Sequence, residues 1–291
     1  VFIIAILSVL ISAFSPVLGL IFIIAYSGKY QESKKEGLFY LIFLITTLIF
    51  LSMNIIDAVR LSDIIIGIGM ASYLFFKLKS RNFDYAMIII YVFLYSTIYG
   101  LFRHLVLGKK LLETVSVAFE QSRELIIASF QNNPDQINVF LDVLEKSRIF
   151  LENFNISIWI AGIVAATYLG ALILSKRAGS NWKHNEIRLP FFLIYFLIIV
   201  LVLVLLPKTK VVGLNGILMV APLFLIQGIS ILDFYWGNFF SKSKFLLYLL
   251  IFAMALNLPL LVLVSLVGMF DIWFDFRKIK ITEDVHENHL S

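Results

Sequence analysis

Apolar residues fall along this chain in long blocks, and charged residues collect in the short gaps between them. The first block, Phe2 to Tyr26, is broken only by Ser15-Pro16, so it reads as one kinked span or as two short half-spans. Further blocks run from about Leu38 to Ile56, Ile64 to Phe76, Tyr85 to Phe102, Ile156 to Leu174 and Phe191 to Leu206. A seventh, Val211 to Trp236, is interrupted by Pro222, and an eighth runs from Phe245 past Asn257 and Pro259 to Met269 or beyond. Crossing about 30 Å of hydrocarbon takes about 20 apolar residues as a helix. Helix is the expected form, because lipid offers no partner to an unpaired backbone group. The period-two alternation of a membrane barrel is missing. The pattern predicts an all-α, polytopic transmembrane helical bundle of about eight spans.

Between Arg103 and Asn153 the pattern changes, and no window there is apolar enough to span. Leu112, Val115, Phe119, Ile126 and Phe130 recur at mostly helical spacing, and Ile137, Phe140, Leu141, Leu144 and Leu151 form a second stripe. Asn133 before Pro134 is a natural cap on a helix start. These features predict an inserted, extramembrane amphipathic helical hairpin. Its polar faces mix Glu with Lys and Arg, which favours packing on the mouth of the bundle over lying in the interface. The chain then divides into a first transmembrane part (1–102), the hairpin (103–153), a second transmembrane part (154–278) and a polar tail (279–291) expected to be disordered.

Counts of lysine and arginine orient the bundle. The gaps after spans one, three, five and seven hold three, three, four and two basic residues, against one and two after spans two and six. Lys29, Lys34, Lys35, Lys77, Lys79, Arg81, Lys176, Arg177, Lys183 and Arg188 are therefore expected on the cytoplasmic side, with the hairpin outside. The same alternation puts Arg277, Lys278 and Lys280 outside, against the rule. A break at Asn257-Leu258-Pro259 that turns the last block into a hairpin removes the conflict, so the side of the C-terminus stays open.

Composition agrees: 60% of residues are hydrophobic and 15% charged, against roughly 25% charged in a soluble domain. The net charge of +5 lies beside the spans rather than in one patch, so no nucleic-acid partner is expected. There is no cysteine, which excludes disulfides, thiolate metal sites and thiol catalysis. The first block has no convincing cleavage site and reads as a retained span. The histidines, His104, His184, His286 and His289, lie outside the spans. There is no phosphate loop, paired-histidine metal motif or nucleophile elbow, so neither metal nor cofactor is expected.

Polar groups inside the hydrocarbon are the better lead, since each costs free energy unless paired. Asn54, Asn215, Gln227 and Asn257 lie in or near the apolar blocks. Singly, each reads as an interhelical hydrogen bond, worth about 0.6 kcal/mol; together they are the candidate solute-binding set, lining a polar cavity among spans two, seven and eight. Asp57, Arg60 and Asp63 recur every third residue at the outer boundary and read as a local ion-pair ladder or, with Arg103, as a charged gate. Asp233 lies one turn from the inner end of span seven. Ala5, Ser8 and Ser12, and likewise Gly67, Gly69 and Ala71, make small-residue faces suited to close helix packing.

The run Leu266-Val267-Gly268-Met269-Phe270-Asp271-Ile272-Trp273-Phe274-Asp275-Phe276-Arg277-Lys278 resembles the ending of the YybS-like family of uncharacterised bacterial membrane proteins. Asn215 with Gln227-Gly228, and the opening Ser15-Pro16-Val17-Leu18-Gly19, also look like that family. The resemblance implies a multi-pass protein of the bacterial cytoplasmic membrane. The family is similar in hydropathy layout to the substrate-binding S components of energy-coupling-factor transporters, which implies a solute-binding role and docking on a membrane partner subunit. The chain departs from that plan by about two extra spans and the hairpin at 103–153. Asp271, Trp273, Asp275 and Arg277 read independently as an interfacial anchor that fixes helix depth, or as a handle for a partner.

The leading expectation is a non-enzymatic membrane protein that binds or transports a small solute. The alternative is a scaffold or assembly factor acting through protein contacts, and the last is an intramembrane enzyme acting on lipid. That enzyme would require Asp57, Asp63, Arg103 and His104 to converge on one pocket.

Overall fold

A computed structural model describes residues 1–31, 35–131, 133–179, 182, 184–236 and 257–278, together with 245, 249, 252 and 253. The tail 279–291 with Lys280, His286 and His289, the loop residues Lys34 and Lys183, and most of the block before Asn257 lie outside the described residues. The described residues are all-α. Among the described residues four helices are long and apolar enough to cross a membrane: Ala58–Ser80, Tyr85–Ser129, Pro134–Ala178 and Lys210–Tyr235. Shorter apolar helices accompany them. The chain divides into two compact units, one of Val1–Asn181 with Ile199–Val220, the other of Trp182–Ile198 with Ala221–Ser291.

In the first unit the opening block is two helices, α1 (Phe2–Phe14) and α2 (Pro16–Gln31). Ser15 is extended, with φ −147° and ψ 114°, and Pro16 starts α2 where its missing N–H costs nothing. The chain folds back so sharply there that a Cβ on Gly19 would lie 2.0 Å from the Ser12 hydroxyl. The block is thus two separate short apolar helices. Ala5, Ser8 and Ser12 are buried, as their small-residue spacing predicts, where α1 packs on α2 and on α3 (Glu36–Ser52). Farther along, α2 lies on α7 (Pro134–Ala178), where Gly162 and Gly170 admit Val17 and Ile24.

The third span is longer than its apolar core. It comprises α4 (Ala58–Ser62), a π-helical segment (Asp63–Gly69) and α5 (Met70–Ser80). A π turn carries one extra residue per hydrogen-bonded ring and re-aims the side chains around it. It delivers Asp63 to the interior, where it is 2% exposed.

The largest departure from expectation is at 103–153. Instead of separate amphipathic helices, α6 (Tyr85–Ser129) and α7 each run 45 residues without a break, about 67 Å at 1.5 Å per residue. Their distal halves pair with each other as a stalk. Leu111, Val115, Phe119 and Ile126 on α6, and Ile137, Leu141 and Leu144 on α7, are half-buried at steps of three, four and seven, the spacing of one helix face. Phe130 stacks on Phe140 at 4.8 Å near the turn, and Asn133 caps α7 by accepting from the Gln136 amide at 3.3 Å. Leu112 and Leu151, expected in the stripes, face outward. Arg148 lies in the seam, and its hydrogen bond with Glu152, reinforced by the charge of Glu145, holds its guanidinium still more firmly protonated than usual.

The last described helices are α8 (Phe192–Leu205), α9 (Lys210–Tyr235) and α10 (Leu258–Phe274). Pro222 does not interrupt α9, which is continuous through it. Asn257 caps α10, its Oδ1 accepting from the Leu260 amide at 3.1 Å, so a helix starts at the predicted break. Within the second unit α9 and α10 touch backbone to backbone. A Cβ on Gly228 would lie 2.0 Å from the Val264 carbonyl oxygen, and one on Gly268 the same distance from that of Phe224. No residue larger than glycine fits either place without parting the helices.

Candidate functional site

Three places concentrate the chemistry, two in the first unit and one in the second. The first is a groove of about 440 Å³ between α3 and the π-helical span. Gly37, Tyr40, Phe43 and Leu44 form one wall, and Ile65, Gly69, Met70 and Tyr73 the other. The helical spacing of 37, 40, 43–44 sets one side of α3 toward the groove. Tyr40 and Tyr73 meet edge to face at 5.7 Å, and the Tyr40 hydroxyl lies 3.2 Å from Ser72 Oγ. Both walls are apolar except at one end, where Glu36 closes the lining in the first turn of α3. Its carboxylate has neither a hydrogen bond nor an ion pair among the described residues.

On the other side of the π segment lies a buried ion pair. Arg103 Nε and Nη2 donate to the two oxygens of Asp63 at 2.7 and 3.0 Å. The Tyr99 hydroxyl donates to Asp63 at 2.9 Å and lies 3.0 Å from Ser62 Oγ. The guanidinium rests over the Trp159 ring at 4.8 Å, a cation–π contact strengthened by desolvation. Gly67 makes room for this layer, since a Cβ there would sit 2.8 Å from the Trp159 ring and 3.0 Å from Tyr99. Tyr95 adds a hydroxyl bond to the Ile66 carbonyl inside the π segment. The pair joins residues 40 apart in sequence and fixes α6 and α7 against the π turn.

The third place is the second unit's clamp. Arg277 and Asp271, with fully buried side chains, pair at 2.7 Å. Arg277 also donates to Ser230 Oγ at 2.8 Å and to the carbonyls of Asn185 and Ile187 at 2.9 and 2.7 Å. Gln227 bridges the same network, donating to Asp271 at 2.8 Å and accepting from the Leu189 amide at 2.8 Å. His184 lies 3.1 Å from Asp233, and Arg188 pairs with Asp275. The segment 184–189 is thus tied down by side chains from α9 and from the end of α10. Asp275 ends that helix with φ 42° and ψ 58°, the left-handed turn that carries the chain to Arg277.

The residues singled out in the sequence separate among these places. Asp63 and Arg103 meet. Asp57 does not join a ladder: it caps α4, accepting from the Arg60 amide at 2.7 Å, and the Arg60 guanidinium has no ion pair among the described residues. His104 is exposed and no part of the cluster. Gln227 is fully buried in the clamp. Asn215 links α9 to α7, donating to the Asn153 carbonyl at 2.8 Å while its Oδ1 lies 2.9 Å from Ser157 Oγ. Asn54 holds a positive φ of 55° in the exposed turn after α3, and Asn257 serves as a cap. Asp271 and Arg277 face inward, while Trp273 is exposed at the end of α10.

Several partners had no distinguishing signal in the sequence: Glu36, Tyr40 and Tyr73 in the groove, Trp159 under Arg103, and Ser230 beside Arg277. Tyr99 had one, since it stands one turn before Arg103 on a single helix and so shares its face. Among the described residues no group of three or more His, Asp or Glu is placed to hold a metal.

Residues 3–272 match the family described as Predicted membrane protein (DUF2232), and the chain belongs to that family. It is a multi-pass membrane protein in contact with the lipid bilayer. No curated protein and no solved structure matches it.

Proposed function

We propose that this member of the family is a non-catalytic binding protein of the bacterial cytoplasmic membrane that holds a small, mostly apolar solute in the groove between α3 and the π-helical span. The groove is the observation that carries the reading. Its volume of about 440 Å³ falls in the range of about 300–1,000 Å³ typical of small-molecule sites, and apolar walls with few polar groups are their usual lining. The polar residues of the clamp and of the Asp63 layer mostly bond one another, whereas the groove is a cavity whose end holds a carboxylate unpaired among the described residues. The likeness in layout to transporter S components supports the same role, with uptake as its outcome when a membrane partner subunit is present.

Gly37 offers a clean test, because a Cβ there meets nothing within 4 Å. Gly37→Leu is expected to fold normally and to fill the groove. In nanodiscs, 4-phenylbutanol should raise the melting temperature of the native protein and leave that of Gly37→Leu unchanged. Equal shifts in both, or none in either, would overturn the groove as the binding site.

A second reading, docking on a protein partner, is favoured by the stalk, whose outward residues include the exposed Val117, Leu125, Val139 and Val143. Shortening both stalk helices by matched turns would then abolish partner cross-linking in cells while sparing the groove.

A further inference from the structure

Resting on the groove reading, we infer that the ligand is a small free amphiphile with a protonated amine or quaternary ammonium head. The head sits at Glu36, and the apolar body lies between Tyr40, Phe43 and Met70. Among the described residues Glu36 is the only carboxylate in the lining, it is half-buried, and no described cation pairs with it. No described lysine or arginine lines the groove; Lys35, next in the chain, is exposed and outside the lining. A carboxylate or phosphate head would therefore meet like charge and no donor cation, whereas an ammonium meets a charge-assisted partner. Tyr40 stands one turn along α3 from Glu36 and meets the Tyr73 ring at 5.7 Å, and aromatic rings in a partly desolvated site attract a cation. The first turn of a helix accounts for an acidic residue at position 36 on its own, but not for its place at the mouth of an otherwise apolar cavity. The volume of about 440 Å³ suits a single ring or short chain with its head.

The experiment compares three probes with one body and different heads: 4-phenylbutylamine, 4-phenylbutanol and 4-phenylbutyrate. Each is titrated onto the full chain in phosphatidylglycerol nanodiscs, with protein-free nanodiscs subtracting partition into lipid. The amine is expected to bind at least tenfold more tightly than the alcohol, and the carboxylate most weakly. Glu36→Gln should bring the amine to the alcohol's affinity while leaving the alcohol unchanged. Gly37→Leu should weaken all three. If alcohol and amine bind alike and Glu36→Gln changes neither, the head assignment is wrong although the groove still binds. If none of the three binds the native protein, the groove reading itself fails. Nanodiscs made with phosphatidylethanolamine supply the remaining arm: loss of amine binding there would identify a membrane lipid as the occupant and overturn a free solute.

Discussion

The two buried aspartate–arginine pairs are chemically alike and built for different work. Asp63 and Arg103 stand on different helices, 40 residues apart, and the arginine engages only side chains: both carboxylate oxygens and the Trp159 ring. Asp271 and Arg277 are six residues apart, and the arginine divides its donors among the carboxylate, a serine and two backbone carbonyls. The first pair leaves neither carboxylate oxygen unpaired, with Tyr99 as a third donor. The second leaves Asp271 Oδ1 and Arg277 Nε without a partner among the described residues. A pair that joins two helices through side chains sets register. A pair that spends its donors on carbonyls holds a loop, and the arginine matters there more than the aspartate.

That contrast can be broken in stages. The largest loss is expected from Arg277→Ala, which strands a buried carboxylate and two carbonyls; removing one partner of a buried pair costs about 3–5 kcal/mol. Hydrogen exchange should then show 184–189 losing protection before any other described segment. Next come the charge swaps. Asp63→Arg with Arg103→Asp should recover part of the stability lost in either single variant, because both partners of that pair are side chains. Asp271→Arg with Arg277→Asp should recover none, since a carboxylate at 277 faces the Asn185 and Ile187 carbonyls. Chemical denaturation in detergent, run as a double-mutant cycle, separates the outcomes.

The glycines extend the comparison at a smaller scale. Gly228→Ala pushes a methyl into backbone, and Gly67→Ala pushes one against the Trp159 ring. Overpacking costs about 1–3 kcal/mol, and Gly228→Ala should fall at the upper end because a carbonyl in a helix cannot rotate aside. Melting temperatures of the two variants give the ranking. Asn215→Ala should cost least, about 0.6 kcal/mol for a polar contact between membrane helices, and should leave probe binding in the groove unchanged.

Much of the fold could be read in advance, and the reasons are local. Apolar block length placed the helices, Asn133-Pro134 marked the start of α7, and the Ser15-Pro16 break showed where the first block divides. Asp63 and Arg103 were legible only as members of one boundary cluster, read first as a ladder of Asp57, Arg60 and Asp63; which carboxylate meets the arginine was not. The π turn was not legible: Asp57, Arg60 and Asp63 share a face in an α-helix, and the extra residue of a π ring only re-aims side chains once tertiary partners hold it. The continuity of α6 and α7 was hidden too, because a fall in hydropathy at Arg103 does not say where a helix ends. The clamp was visible only as a motif. The Gln227-Gly228 pair and the Gly268–Arg277 run proved to be two halves of one contact, glycine against backbone and glutamine against aspartate.

The unbroken course of α6 and α7 also makes the stalk a lever. From Arg103 to the end of α6 is about 40 Å of helix, so a tilt of about 5° at the ion pair moves the tip by about 3 Å.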